Sequence, residues 1–476
     1  MVFSSVVFLF IFLPWTLMIH YFLDPRYRNL FLLLVSLLFY AWGEGFLTIL
    51  IISSIFVNYL GGLLIGYYKN RKLGVAKLFL GVFIAINVLV LVYFKYFNFI
   101  LGNLQEAGLF SSTILSPVHL PIGISFYTFH IISYLIDVYR RDAVSQKNPF
   151  DLGLYIFLFP QLVAGPIIRY KDISQKIAAR FIIGSEFTSG LIRFIRGLAK
   201  KMIIANNVAV VVDQAFAQDP GAIPTSVAWL AILCYTLQIY FDFSGYSDMA
   251  VGLGKMLGFN FPENFNYPYM ANSIREFWQR WHISLSTWFR DYLYIPLGGN
   301  KGGKASTYRN LFFVFFITGL WHGASWNFIV WGLFHGCFLV IERIGFGSLL
   351  KKLPAAIGHI YTLCVVIIAW IFFRADTLTY AIGFMKALGG FNTSTNYIAL
   401  SHADEYLLFI LVMGIIFSTN LRVVIGNYIT SKLSFVGDYA LKGATMVSYF
   451  AYLALFIYCS SELAQNNYNP FIYFRF

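Results

Sequence analysis

Apolar runs of about 20 residues, the length a helix needs to cross roughly 30 Å of hydrocarbon, recur from one end of the sequence to the other. Lipid leaves two backbone solutions, the helix and the closed barrel, because no water is present to satisfy peptide groups. The runs are far too long for barrel strands. Composition agrees: of 476 residues, 59% are hydrophobic, 20% aromatic and 12% charged, and the mean hydropathy is +0.70. The expected fold is an all-α integral membrane protein, a polytopic helical bundle of about 10–12 spans with re-entrant segments and interfacial helices around a central tunnel. The runs never pause for a linker, so 1–476 is expected to be a single domain, with N-terminal spans in 1–140, a functional core in 150–345 and C-terminal spans in 355–476.

The first residues are apolar but lack a basic stretch and a small-residue cleavage site, so they are expected to stay as the first span. Cys234, Cys337, Cys364 and Cys459 lie in apolar stretches without metal-ligand spacing, which predicts packing roles, no metal and no disulfide. The net charge of +13 is distributed as the positive-inside rule requires, which accounts for it without a nucleic acid partner. Arg26, Arg28, the loop 69–77 and the stretch 140–147 are basic, whereas 101–120 has no Lys or Arg. A multi-pass protein with its N-terminus outside the cytoplasm is therefore expected.

The segment 151–170 is apolar but carries Pro160, Gly165 and Pro166 between two basic flanks. Equal flanks predict a re-entrant segment, whose irregular backbone must be satisfied by protein or by a water-filled cavity.

Function is expected between residues 241 and 335, the most polar and aromatic part of the chain. Asp242, Ser244, Ser247 and Asp248 could cap helix ends or bind substrate, and capping at a break is the favoured role. Ser273-Ile-Arg-Glu276 fits a capping box and fixes a helix start. At about 100° per residue, Arg275, Gln279, His282, Ser286 and Arg290 then share one sector, flanked by Trp278, Trp281 and Trp288. Such a helix is expected along the cytoplasmic interface, its polar line facing water or an internal funnel. Two apolar runs, 308–320 and 326–341, flank Trp321-His322-Gly323 between basic ends, which predicts a hairpin with His322 at its apex. An ionisable residue on a turn inside the bilayer is a functional candidate. His335 would point roughly 220° away on one continuous helix, so it is expected to be a packing or hydrogen-bonded residue. No HExxH, Gly-x-Ser-x-Gly or P-loop motif occurs.

Asp242-Phe-Ser-Gly-Tyr-Ser-Asp248, the stretch from Glu276-Phe-Trp-Gln-Arg-Trp-His282 to Asp291-Tyr-Leu-Tyr-Ile-Pro-Leu-Gly-Gly-Asn300, and Gly319-Leu-Trp-His322-Gly323 resemble the bacterial membrane-bound O-acyltransferase family. The first five residues, Leu120-Pro-Ile-Gly-Ile-Ser-Phe126 and the tail from Phe471 to Phe476 extend the likeness to the branch that contains the alginate and peptidoglycan O-acetylation membrane components. The resemblance implies that His322 is the essential intramembrane histidine, with Trp321 beside it lining the tunnel, and that His282 is the second motif residue. It also implies a cytoplasmic acyl-CoA or carrier-protein donor, an SGNH-hydrolase-like partner outside the membrane, a polysaccharide or peptidoglycan acceptor, and residence in the bacterial inner membrane.

The residue chemistry agrees with that expectation. Acetyl transfer to a hydroxyl needs a base, which a neutral imidazole supplies near pH 7. Arg275 and Arg290, with Gln279 and Ser286 between them, would meet the anionic donor, acetyl-CoA, which is a substrate; no cofactor is expected. The alternatives are a polysaccharide or lipid transporter and a non-catalytic membrane scaffold of an envelope-modifying complex. No internal repeat of the histidine motifs supports the transporter.

Overall fold

The protein is described here from a computed structural model covering residues 1–109, 117–181, 183–392, 404–436, 438–465 and 468–472. Part of the loop 101–120 and the last four residues of the 471–476 tail motif lie outside the described residues. Every regular element among them is helical, as hydrocarbon demands of a chain with apolar runs of this length. Six helices are long and apolar enough to cross a membrane, or seven if Glu405–Phe417 and Leu421–Lys432, bent by 70° at a short break, count as one span. The protein is thus a polytopic all-α membrane protein. The tally falls below the expected number partly because one 45-residue stretch, Pro25–Lys69, is counted once. As a single rod it would measure about 68 Å, more than twice the hydrocarbon. Gly45, at φ +53°, interrupts it and separates Pro25–Glu44 from Thr48–Lys69, each long enough to span.

The described chain gathers into two compact units, and each is taken by itself. The first comprises Met1–Arg193, Met249–Pro262 and Trp288–Tyr292. Here Thr48–Lys69 packs against Leu73–Leu91 and Ile124–Arg140. Apolar side chains gain nothing by leaving lipid for one another, so close backbone approach and internal hydrogen bonds must hold such helices together. Both occur. A Cβ on Gly62 would stand 2.0 Å from the hydroxyl of buried Tyr134, so the tyrosine side chain packs directly on the glycine backbone. The buried amides of Asn58 and Asn87 pair reciprocally, at 3.1 and 2.7 Å.

The segment 151–170 is broken as expected. The helix Pro149–Phe157 ends at Leu158, whose ψ of 119° is non-helical, and after Phe159–Leu162 the backbone is irregular to Arg169. Protein groups satisfy it: the Phe159 amide donates to Ser36 Oγ at 3.0 Å, and the Tyr155 hydroxyl donates to the Ile168 carbonyl at 2.9 Å. Arg169 at its end pairs with Asp172 and Asp291.

The second unit comprises Phe194–Asp248, Glu263–Thr287 and Leu293–Phe476. Its central feature is the hairpin of Gly303–His322 and Trp326–Ile341. A Cβ on Gly319 would lie 2.3 Å from the Phe328 carbonyl oxygen, so the two helices meet backbone to backbone near the turn. The hairpin follows the sequence reading, except that its first helix starts at Gly303 and reaches about 30 Å.

The capping role expected for Asp242 and Asp248 is not found. Both lie inside the uninterrupted helix Thr225–Met256. Lysines on the turn Lys200–Ala205 replace the expected caps: Lys200 Nζ reaches Asp248 at 2.7 Å, and Lys201 Nζ reaches Asp242 at 2.7 Å with both side chains buried. A paired carboxylate no longer needs a helix end.

The packing of the first unit sets an expectation. Gly62→Val should destabilise the protein by roughly 1–3 kcal/mol through overpacking, seen as a lower unfolding midpoint in detergent. Gly74→Val, where a Cβ meets nothing within 4 Å, should leave the midpoint close to wild type. Equal midpoints for the two variants would contradict this packing.

Candidate active site

His322 is the last residue of the helix Gly303–His322 and is 2% exposed. The hairpin turn places its imidazole among aromatic rings: Trp321 and Trp331 with centroids at 4.8 Å, and Phe373 at 5.2 Å, all edge to face.

His282 is fully buried and has a left-handed backbone, φ +44°, rare for a residue with a Cβ. The strain stands where two short helices meet, Ile274–Arg280 and Ile283–Phe289, with Trp281 extended between them. The capping box forms as read, since Ser273 Oγ accepts from the Glu276 amide at 3.0 Å. The single helix expected from 273 to 290 does not. Asn264 supplies the reason: its carbonyl accepts the Ile283 amide at 3.0 Å, and its Oδ1 accepts the Ser284 amide at 3.2 Å and the Ser284 hydroxyl at 2.8 Å. That anchor starts a new helix and leaves His282 at the kink.

The same Oδ1 lies 3.2 Å from His282 Nδ1. A carbonyl oxygen can only accept, so Nδ1 carries the proton and Nε2 holds the lone pair. Nε2 is buried and has no hydrogen-bond partner among the described residues. Burial pushes the imidazole, which lies outside the candidate spans, down to about 3, so it is neutral at physiological pH. Its ring meets Phe243 at 4.7 Å and Trp321 at 6.0 Å. Trp321 therefore stands between the two histidines, touching each.

The other members of the expected polar line separate from His282. Arg275, Gln279 and Arg290 are exposed, Ser286 is half-buried, and Arg290 pairs with Asp291 at 2.7 Å. The phase calculation assumed one helix, and the kink at His282 cancels it. Nor are the tryptophans interfacial: Trp278, Trp281 and Trp288 are all buried.

His335 is closer to His322 than a continuous helix would allow, because the hairpin folds back. Trp331 meets His322 at 4.8 Å and His335 at 5.2 Å. As a packing residue His335 follows the sequence reading, lying between Trp331 and Trp278 and parallel to Phe277. As a hydrogen-bonded one it does not, since neither ring nitrogen has a partner among the described residues.

Two further features escaped the sequence reading. Asn264 lies in a loop 18 residues before His282, and nothing in its neighbours marks it. The pair Lys201–Asp242 also receives the C-terminal segment: Asp242 Oδ2 accepts the Ile472 amide at 2.8 Å, Lys201 donates to the Pro470 carbonyl, and Phe471 stacks on Tyr246 at 4.7 Å. Asp242 directly precedes Phe243, the residue against the His282 ring. Among the described residues no three His, Cys, Asp or Glu side chains gather as a metal site.

Comparison with known proteins agrees with this geometry. The membrane-bound O-acyltransferase family profile matches residues 73–380. A probable alginate O-acetylase of Pseudomonas putida is 43% identical over 493 aligned positions, covering 100% of both chains. The probable alginate O-acetylase of Pseudomonas aeruginosa is 47% identical over 83% of this chain and 76% of its own. A peptidoglycan O-acetyltransferase of Helicobacter pylori is 35% identical over 86% of this chain and 83% of its own. The matched residues include both histidines and the whole hairpin, and the chain belongs to the membrane-bound O-acyltransferase family, as an acyltransferase.

Proposed function

We propose that this acyltransferase moves an acetyl group from acetyl-CoA on the cytoplasmic side of the inner membrane, through a tunnel, to an acceptor outside, for O-acetylation of an exopolysaccharide such as alginate or of peptidoglycan. The observation that carries the reading is that two buried imidazoles both meet the ring of Trp321, His322 at 4.8 Å and His282 at 6.0 Å. The names of the relatives favour acetyl over other acyl groups and polymers over lipids as final acceptors. An extracytoplasmic SGNH-hydrolase-like protein is the proposed partner that hands the acetyl group on.

His322 is the proposed base. It takes the proton of an acceptor hydroxyl as the oxygen attacks the thioester carbonyl carbon, the C–S bond breaks, and the proton passes to the departing thiolate of CoA. An unprotonated imidazole suits this, because it holds a lone pair that can accept the proton. His282 Nε2, with its tautomer fixed by Asn264, is the proposed second acceptor in the proton's path. The exposed guanidinium group of Arg275 is a proposed contact for the donor's phosphates. In this reading the CoA nucleotide stays outside the protein and only the acyl arm enters.

His322→Ala should lower acetyl transfer by on the order of 10²–10⁴-fold, the usual worth of a general base, while gel filtration in detergent stays unchanged. Release of free CoA by purified wild type and variant decides the matter, and a variant turning over at the wild-type rate would remove His322 from the mechanism.

For His282 the backbone and the hydrogen bond make different demands. Asn tolerates the left-handed conformation and can still donate to Asn264 Oδ1, whereas Ala does neither. We expect His282→Asn to fold as well as wild type and to keep more activity than His282→Ala, whose unfolding midpoint should also fall. An Asn variant as inactive as Ala yet fully stable would assign His282 to proton transfer itself; an Ala variant with wild-type rate would assign it to packing.

A further inference from the structure

One carboxylate fastens the segment that ends at His282 to the hairpin that carries His322. Glu342 follows the second hairpin helix, Trp326–Ile341, and is buried. Its Oε1 accepts the Ile274 amide at 2.6 Å, and its Oε2 accepts the Arg275 amide at 3.0 Å. The leading amides of a helix have no partner within it. In Ile274–Arg280 the third of them donates to the local cap Ser273, so the first two depend on a residue 68 and 67 positions away. The helix dipole favours a carboxylate there. Because this one comes from the hairpin, it ties two separate stretches of chain together.

The contacts beyond that tie fall in order. Ile274 meets Glu342 at the open end of the hairpin. Further along, the Trp278 ring meets His335 at 5.1 Å, Trp331 at 5.7 Å and Phe315 at 5.1 Å, and Phe277 lies parallel to His335. At the turn His282 meets Trp321 at 6.0 Å, next to His322. The segment 274–282 therefore runs along the hairpin from its open end to its turn. Its register on the hairpin decides where the His282 imidazole stands relative to His322. Apolar ring contacts are non-directional and allow sliding, whereas two hydrogen bonds to one carboxylate hold both distance and angle.

We infer that Glu342 is a positioning residue for acyl transfer: by holding the Ile274 and Arg275 amides it pins the His282 segment in register with the hairpin and so sets the relation of the two imidazoles. The inference rests on the reading that His282 lies in the proton's path.

The test is a double-mutant cycle on acetyl-CoA turnover by the purified full chain in detergent, with rates taken per folded protein from gel filtration. Glu342→Gln keeps the volume but offers one acceptor oxygen to two amides. Glu342→Asp keeps the charge but is one methylene short. Each should lower kcat on the order of 10–10²-fold, the effect of a displacement of about 1 Å, and should leave KM for acetyl-CoA within about twofold of wild type. In a His282→Ala background the same substitutions should lower the remaining rate by less than about twofold, because the residue being positioned is gone. A role in stability alone lowers the rate by the same factor in both backgrounds, and equal factors would overturn the inference, as would wild-type kcat in both Glu342 variants. His282→Ala turning over at the wild-type rate would overturn it together with the reading beneath it.

Discussion

Hydrocarbon cannot solvate a peptide group or a charge, and this structure is organised by that single constraint. At two places where the chain leaves regular helix among buried residues, specific side chains replace missing bonds. Ser36 and Tyr155 do so for the broken segment after Phe157, and Asn264 does so for the kink at His282. Lys201 and Asp242 are buried together as a pair. Removing one member of such a pair costs about 3–5 kcal/mol, far more than the pair itself contributes. The pair therefore fixes geometry more than it adds stability, and it fixes the C-terminal segment and the helix that carries Phe243 at once.

The same constraint gives the histidines their character. His322 is ringed by Trp321, Trp331 and Phe373, and His282 is buried against Phe243. Membership of an enzyme family decides between the functional classes the sequence left open. The irregular backbone at His282 is held in a left-handed conformation by three hydrogen bonds from its neighbours to Asn264. Strain of this kind, of order 1–3 kcal/mol, persists where the surroundings over-determine it.

Much of this was legible in the sequence, for reasons that differ from element to element. The spans follow from apolar length, the hairpin from two runs around Trp-His-Gly, the capping box from Ser273 and Glu276, and the break near Pro160 from its proline and glycines. The failures share one physical cause. Periodicity describes a helix only while it continues, and a distant side chain can end it or keep it going. Asn264 ends the helix at His282 and so scatters Arg275, Gln279 and Arg290 from it, although the sequence alone puts them in line. Lys200 and Lys201 do the reverse, carrying Thr225–Met256 straight through two aspartates that read as caps.

The central claim is that an acetyl group crosses the membrane inside this protein while CoA does not. Sealed liposomes containing the purified chain in one orientation, with doubly labelled acetyl-CoA outside and an acceptor polymer with its SGNH-type partner inside, test it directly. The account predicts acetyl label on the enclosed polymer and all CoA label left outside. Acetylation only of acceptor on the donor's own side, or CoA label recovered within the liposomes, would contradict it.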